Sequence, residues 1–311
     1  MAKREVRVWF AALLMASTLV GCATGSGDAP RAGGPPSEAA PRPEGIRDLT
    51  TGEEILIERA ERILVKRCME GSGFTYWLRP PVSAEERAGH GFVRDDITWA
   101  RTYGYGREFE QRGEKARLSD PNAAYANGLP EPDRIRYSKT LDGDPDQGMM
   151  SVRLPSGGTV QKPRTGCWNT AGEQLYGDMA TWFRTKKTAT SLTPLYVPEL
   201  LKDRRLTTAV AAWARCMKKK GHAYASPDDI RAKRHSLVEG MSPGRAHATE
   251  VELAVAEATC AVETSLGRTA RALEDEYRAK KLQPYSEDLA TYQRTRLAAL
   301  ARAETITGSK A

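Results

Sequence analysis

The segment Arg67-Cys68-Met69-Glu70-Gly71-Ser72-Gly73-Phe74-Thr75-Tyr76 returns later in the chain as Arg215-Cys216-Met217-Lys218-Lys219-Lys220-Gly221-His222-Ala223-Tyr224. In both copies Arg-Cys-Met closes an apolar helical pattern. Gly73 or Gly221, then a ring at Phe74 or His222, then Tyr76 or Tyr224, follow at matching offsets, with Pro80 or Pro227 soon after. Each copy is trailed by one further cysteine, Cys167 or Cys260. Four cysteines allow three connectivities. The duplication selects one, in which each copy closes on itself through Cys68–Cys167 and Cys216–Cys260. Loops of this length put each bond at roughly 4 to 5 kcal/mol in the chain-entropy account. A zinc site built from the same four residues is the weaker reading, since no two have the close spacing that structural zinc favours.

A fifth cysteine lies at the N-terminus. Lys3, Arg4 and Arg7 precede an apolar run from Val8 to Val20, and Leu19-Val20-Gly21-Cys22 closes it as a small-residue cleavage site. This resembles a bacterial lipobox, which implies a signal peptide over 1–21 and a lipidated Cys22 as the new N-terminus. A plain secretory peptide or a single-pass helix is the weaker alternative; the run is short for a bilayer core and Gly/Pro-rich sequence follows it. An exported chain is also where disulfides persist. Residues 22–48 are poor in large apolar side chains and are expected to be a disordered tether, about 25 to 30 Å end to end as flexible coil. The formal charge of +7 loses two positive units with residues 1–21. The mild remainder suits anionic envelope polymers or headgroups, and no basic patch with interleaved aromatics points to nucleic acid.

The folded part is expected to be mainly α-helical: disulfide-stapled helical pairs in tandem duplication. Repeat 1 covers 49–193 and repeat 2, with a C-terminal antiparallel helical hairpin, covers 194–306; a frayed tail, 307–311, ends the chain. A first helix is predicted from Thr51, capped by Thr51 with Glu54, with Ile57, Ala60, Leu64 and Cys68 on its buried stripe. Cys167, Ala171, Leu175, Met179 and Trp182 make one partner helix. Pro198 begins the next, with Leu206, Val210, Trp213 and Met217 inward. Ser226-Pro227-Asp228-Asp229 is a helix start, a simpler role for that acid pair than catalysis. One long helix is predicted over 247–283, and a last one over 286–306. Between the first two cysteines, 82–165 reads as an irregular, loop-rich insertion, with one short helix over Ser83-Ala84-Glu85-Glu86-Arg87, with Pro121, Pro130, Pro132 and Pro145 as breakers, and with a small β-hairpin turning at Gly157-Gly158. Long insertions of this kind are often functional. A recognition surface is therefore sought there and in the neighbouring rings Phe74, Tyr76, Trp77, Tyr103 and Tyr105.

No catalytic motif accompanies these elements. His90, His222, His235 and His247 have no ligand spacing, and nucleophile-elbow and phosphate-loop patterns are missing. No cofactor or metal is expected. With the lipobox, Trp213-Ala214-Arg215-Cys216-Met217, Gly221-His222-Ala223-Tyr224-Ala225-Ser226-Pro227 and Glu252-Leu253-Ala254-Val255-Ala256 in hand, the chain resembles a group of secreted and lipid-anchored actinobacterial proteins. In copy one Val65 replaces the Trp. The resemblance implies a cell-membrane location on the extracytoplasmic face and supports the disulfide pairing; it implies no activity. The resulting expectation is a non-catalytic lipoprotein, held to the membrane by lipid, that binds or scaffolds an envelope protein or an anionic wall polymer. A carboxylate-dependent wall hydrolase using Asp95 or Asp96 is the alternative from another class, and a solute-binding lipoprotein is the third.

Overall fold

The computed structural model describes residues 47–88 and 91–310. Cys22, the lipobox and most of the tether lie outside them. The first helix, α1, spans Thr51–Gly71. Its cap sits one residue earlier than the sequence suggests. Thr50 Oγ1 accepts from the Glu53 amide (3.2 Å) and the Glu53 carboxylate accepts from the Thr50 amide (2.7 Å), a complete capping box. Ile57, Ala60 and Leu64 are buried as expected, joined by Leu56, Val65 and Met69.

Both copies of the repeated motif end their helices in the same way. The Phe74 amide donates to the Met69 carbonyl (3.0 Å) and the His222 amide to the Met217 carbonyl (2.9 Å). Gly73 and Gly221, at φ +83° and +88°, make the left-handed residue between. This is the Schellman closure, which only glycine enters without a Cβ penalty. Both staples form as the duplication implies: Cys68–Cys167 with Cα atoms 5.5 Å apart and Cys216–Cys260 at 5.7 Å.

The insertion is the main correction. Far from being irregular, 82–165 is largely helical: α2 (Ala84–Ala88), α3 (Ile97–Tyr103), α4 (Arg107–Leu118), α5 (Pro121–Gly128) and α6 (Glu131–Asp142). Pro121 and Pro132 stand in the first turns of α5 and α6, where the missing N–H has no helical partner to lose. The same residues that read as breakers are starters. The hairpin forms as expected, β1 (Met149–Arg153) pairing antiparallel with β2 (Thr159–Pro163), Val152 opposite Val160.

Three helices read as continuous are each broken. The Cys167 stripe divides into α7 (Cys167–Tyr176) and α8 (Met179–Ala189), because Asp178 caps the second through the amides of Ala180 (3.1 Å) and Thr181 (3.2 Å). Pro198 opens only the one-turn α9 (Val197–Leu200), and Asp203 then caps a separate α10 (Arg204–Lys219). Ser226 caps α11 (Pro227–Leu237), accepting from the Asp229 amide (3.2 Å). The long C-terminal pattern divides into α12 (Pro243–Glu263) and α13 (Leu266–Lys281) at Ser265, a non-glycine residue at φ +57°. The final helix, α14 (Ser286–Thr307), meets α13 through the single 3-10 turn Gln283–Tyr285.

Two hydrophobic cores result, and the chain crosses between them. The first gathers α1, α7 and α8 with Ala299 and Ala303 of α14. The second gathers α10, α12 and α13 with Ala100 of α3 and Tyr105. Thus α14, from the repeat-2 half, completes the core of repeat 1, and α3, from the repeat-1 half, completes that of repeat 2. The boundary at 193/194 is crossed in both directions.

Candidate functional site

Leaving the first Schellman turn, the chain runs extended through Tyr76 and Trp77 toward Pro80 and Pro81. The start of α5 pins it. The Asn122 side-chain amide accepts from the Trp77 N–H (2.8 Å) and donates to the Trp77 carbonyl (2.9 Å), so one amide replaces a strand neighbour. Asp120, the α5 N-cap, ion-pairs with Arg79 two residues further on.

Beside this clamp, residues 76–79 together with α1, α5, α6 and the first turn of α7 line a cavity of about 380 Å³. That lies within the size range of small-molecule sites. Tyr76, Trp77, Tyr137 and Trp168 supply its rings, and Arg62 and Arg79 its positive charge. Tyr137 packs edge-on against Phe74 (5.2 Å between centroids) and Tyr125 (6.0 Å), fixing its orientation. Only 5% exposed, it carries a buried hydroxyl with no hydrogen-bond partner. Burial pushes that phenol up to about 12 and raises Tyr76 as well, so both are protonated donors at any physiological pH. Arg62 makes no hydrogen bond or ion pair among the described residues, whereas Arg79 is held by Asp120.

Of the rings expected to form a recognition surface, the structure brings Tyr76 and Trp77 together at this cavity. Phe74 is not surface: it is 3% exposed in the first core, under the Arg136 guanidinium. Tyr105 is corrected likewise. It is buried in the second core and its hydroxyl donates to Glu257 Oε2 (2.7 Å). Tyr103 lies with Trp99 and Phe109 in a tilted three-ring cluster and is not part of the cavity lining. Tyr125 and Tyr137 carry no signal legible in the sequence, since the proline-rich stretch that forms α5 and α6 gives ring positions no apolar periodicity to be read against.

The carboxylates singled out for hydrolysis have structural work. Asp95 ion-pairs with Arg271 (2.7 Å) and Asp96 caps α3 through the Trp99 amide (2.8 Å). Asp229 is held by Lys233 and the Ala225 amide below its usual range. Elsewhere, Glu61 and Asp142 are raised by burial, and Lys162 is lowered by it. These three share a cleft of about 550 Å³ with Trp168, Trp182 and Lys186. Neither carboxyl has an ion pair among the described residues, the sign of groups tuned by desolvation. The only triad of metal-ligating types close enough to share an ion, among the described residues, is Cys216, Cys260 and Glu263. Its sulfurs are bonded to each other, and thiolate rather than disulfide is the ligand for zinc.

No helix among the described residues is long and apolar enough to cross a membrane. The two disulfides place the folded part in an oxidising compartment. Comparison of the chain with family models, with curated proteins and with solved structures gave no match.

Proposed function

We propose that the protein is a non-catalytic, lipid-anchored lipoprotein of the cell envelope whose cavity beneath Tyr76 and Trp77 is its ligand-binding site. The lipobox-like leader supports the anchor and the stapled helices support an extracytoplasmic location. One observation carries the binding role: Tyr137, which lines this ring-lined cavity, carries a buried hydroxyl with nothing to bond. A buried polar group left unmet costs about 1 to 3 kcal/mol, so its retention at a cavity wall favours a partner that comes from outside. The ion pair of Asp95 and the capping role of Asp96 give those two residues structural work and favour the binding reading over the hydrolase alternative that named them.

Ligand capture from a detergent extract of the producing cell's envelope tests this. Oxidised full-length protein should retain an envelope component that Trp77→Ala protein releases, with both proteins unfolding at the same urea concentration. Equal retention by both would remove the cavity from the binding role. Wall-degrading activity abolished by Glu61→Gln or Asp142→Asn would replace the reading with a hydrolytic one.

A further inference from the structure

We infer that the ligand of this cavity is a small, mainly apolar planar ring carrying one carboxylate, with the acid held by Arg62 and the ring seated against Trp77 and Trp168. The inference rests on the binding role proposed above and goes on to name the ligand's chemistry.

The polar inventory of the wall decides the class. Asn122 spends its amide on the Trp77 backbone, and Asp120 accepts from both Arg79 and the Asn122 N–H. What remains for a ligand is mainly donors: the unpartnered Tyr137 hydroxyl, the Tyr76 phenol, and one guanidinium, Arg62, which has no ion pair among the described residues. A polyhydroxylated sugar, whose hydroxyls also donate, would meet a wall whose carboxylate and amide acceptors, Asp120 and Asn122, are already engaged, at a cost for each hydroxyl left unmet. A ring with a single acidic group leaves little unmet. Its face matches the indole and phenol rings, which favour offset or edge contacts with other rings. Its carboxylate matches a guanidinium, whose fixed fork of donors suits that shape. The Tyr137 phenol can donate a second hydrogen bond to the same oxygen.

Charge points the same way. Arg79 and Asp120 neutralise each other at one side of the cavity, which leaves Arg62 as the remaining charged side chain in its lining. A neutral ring would leave this cation without a counter-charge beside apolar walls, and a cationic one would be repelled by it.

Isothermal titration of oxidised full-length protein with indole-3-acetate, indole-3-acetamide and glucuronate separates the possibilities. The first two share a ring and differ in the charge; the third shares the charge and lacks the apolar face. Indole-3-acetate should bind at least about tenfold more tightly than the amide, and glucuronate should not bind measurably. Arg62→Gln should erase the preference for acid over amide while leaving amide binding in place. Tyr137→Phe should weaken the acid by about tenfold and the amide by less, about fivefold. Equal affinity for acid and amide, or an unchanged preference in Arg62→Gln, overturns the inference. So does the lack of indole-3-acetate binding at millimolar concentration. Glucuronate binding that depends on Trp77 would overturn the apolar-ring class and leave the cavity's binding role intact. A component captured from the envelope extract in a Trp77-dependent way, with no indole bound, would do the same.

Discussion

Tyr105 and Glu257 show how much a single pair can depend on chain far away. Glu257 is 2% exposed, and burial raises its carboxyl pKa against the opposing pull of the Tyr105 hydrogen bond and the Arg94 charge. The Arg94 guanidinium lies over both Trp99 (5.2 Å) and Tyr105 (5.1 Å). The folded state thus holds the Glu257 proton more tightly than the unfolded chain does. Its contribution to stability is full below the unfolded carboxyl value and declines as pH rises through the raised folded one. Tyr105→Phe removes the donor and leaves a buried acceptor unmet, at about 1 to 3 kcal/mol. Because the hydrogen bond favours the ionised form, that penalty should grow as pH rises through the raised Glu257 value, as read from urea midpoints across a pH series. A penalty independent of pH would mean that Glu257 is not the group concerned. None of this is visible locally: Tyr105 sits between Gly104 and Gly106, which reads as loop, and its partner lies 152 residues on. Gly221 is the opposite case. Its spacing from Cys216, matched in copy one, marks a helix end, and φ of +88° confirms why glycine stands there. No atom lies within 4 Å of an added Cβ, so Gly221→Ala should cost the left-handed backbone energy alone, about 1 to 2 kcal/mol, with no change in the fold by circular dichroism.

At the scale of elements, helix existence follows from sequence wherever one face is apolar at the 3.6-residue period, as in α1, α10 and α12. Helix ends and breaks follow less well, since they are set by capping groups whose pattern is brief. Gly177-Asp178 is such a signal, overridden in reading by the stripe that continues from Leu175 to Met179 and Trp182. The break at Ser265 has no such signal, since a serine at positive φ is not marked by its residue type. The short helices α4 to α6 were hidden for a third reason: they are mostly exposed, so no stripe distinguishes them from polar loop, and their prolines point both ways. The staples behave differently, since they act through the unfolded chain. Cys68–Cys167 spans 99 residues and Cys216–Cys260 spans 44. Replacing the first pair by alanine should cost about 5 kcal/mol and the second about 4. The order of the two midpoints in urea tests the loop argument. If losing the shorter loop costs more, native packing around Cys216 outweighs chain entropy.

The whole molecule is held as one by exchange rather than by a broad interface between repeats. α14 packs most closely on α1 and α8, and α3 on α12. Trp182 stacks between Tyr176 (3.8 Å) and Tyr292 (5.3 Å), so one layer of the first core's aromatic stack comes from α14. Ion pairs follow the same crossings: Arg296 with Glu54, Arg184 with Asp288, Arg107 with Glu250 (2.8 Å) and Arg234 with Glu110. A tandem duplication leads one to expect two halves that fold alone, and no periodicity in α14 or α3 says which core each will join. The exchange predicts otherwise. Cut after Ser191, the fragment 49–191 lacks Tyr292, Ala299 and Ala303, and 192–311 lacks Ala100 and Tyr105. Against a total stability of about 5 to 15 kcal/mol, losing a whole packed helix leaves each half without a closed core. Each fragment alone should therefore show weak near-ultraviolet dichroism and no cooperative urea transition. Neither disulfide spans the cut, so each fragment keeps its own staple and any reunion is non-covalent. Mixed at equal concentration, the two should form a one-to-one complex that recovers the dichroism and a cooperative transition whose midpoint rises with concentration. A sharp transition in either fragment by itself would show that a repeat closes its core without the borrowed helix, and the exchanged elements would then be attachments to two independent units.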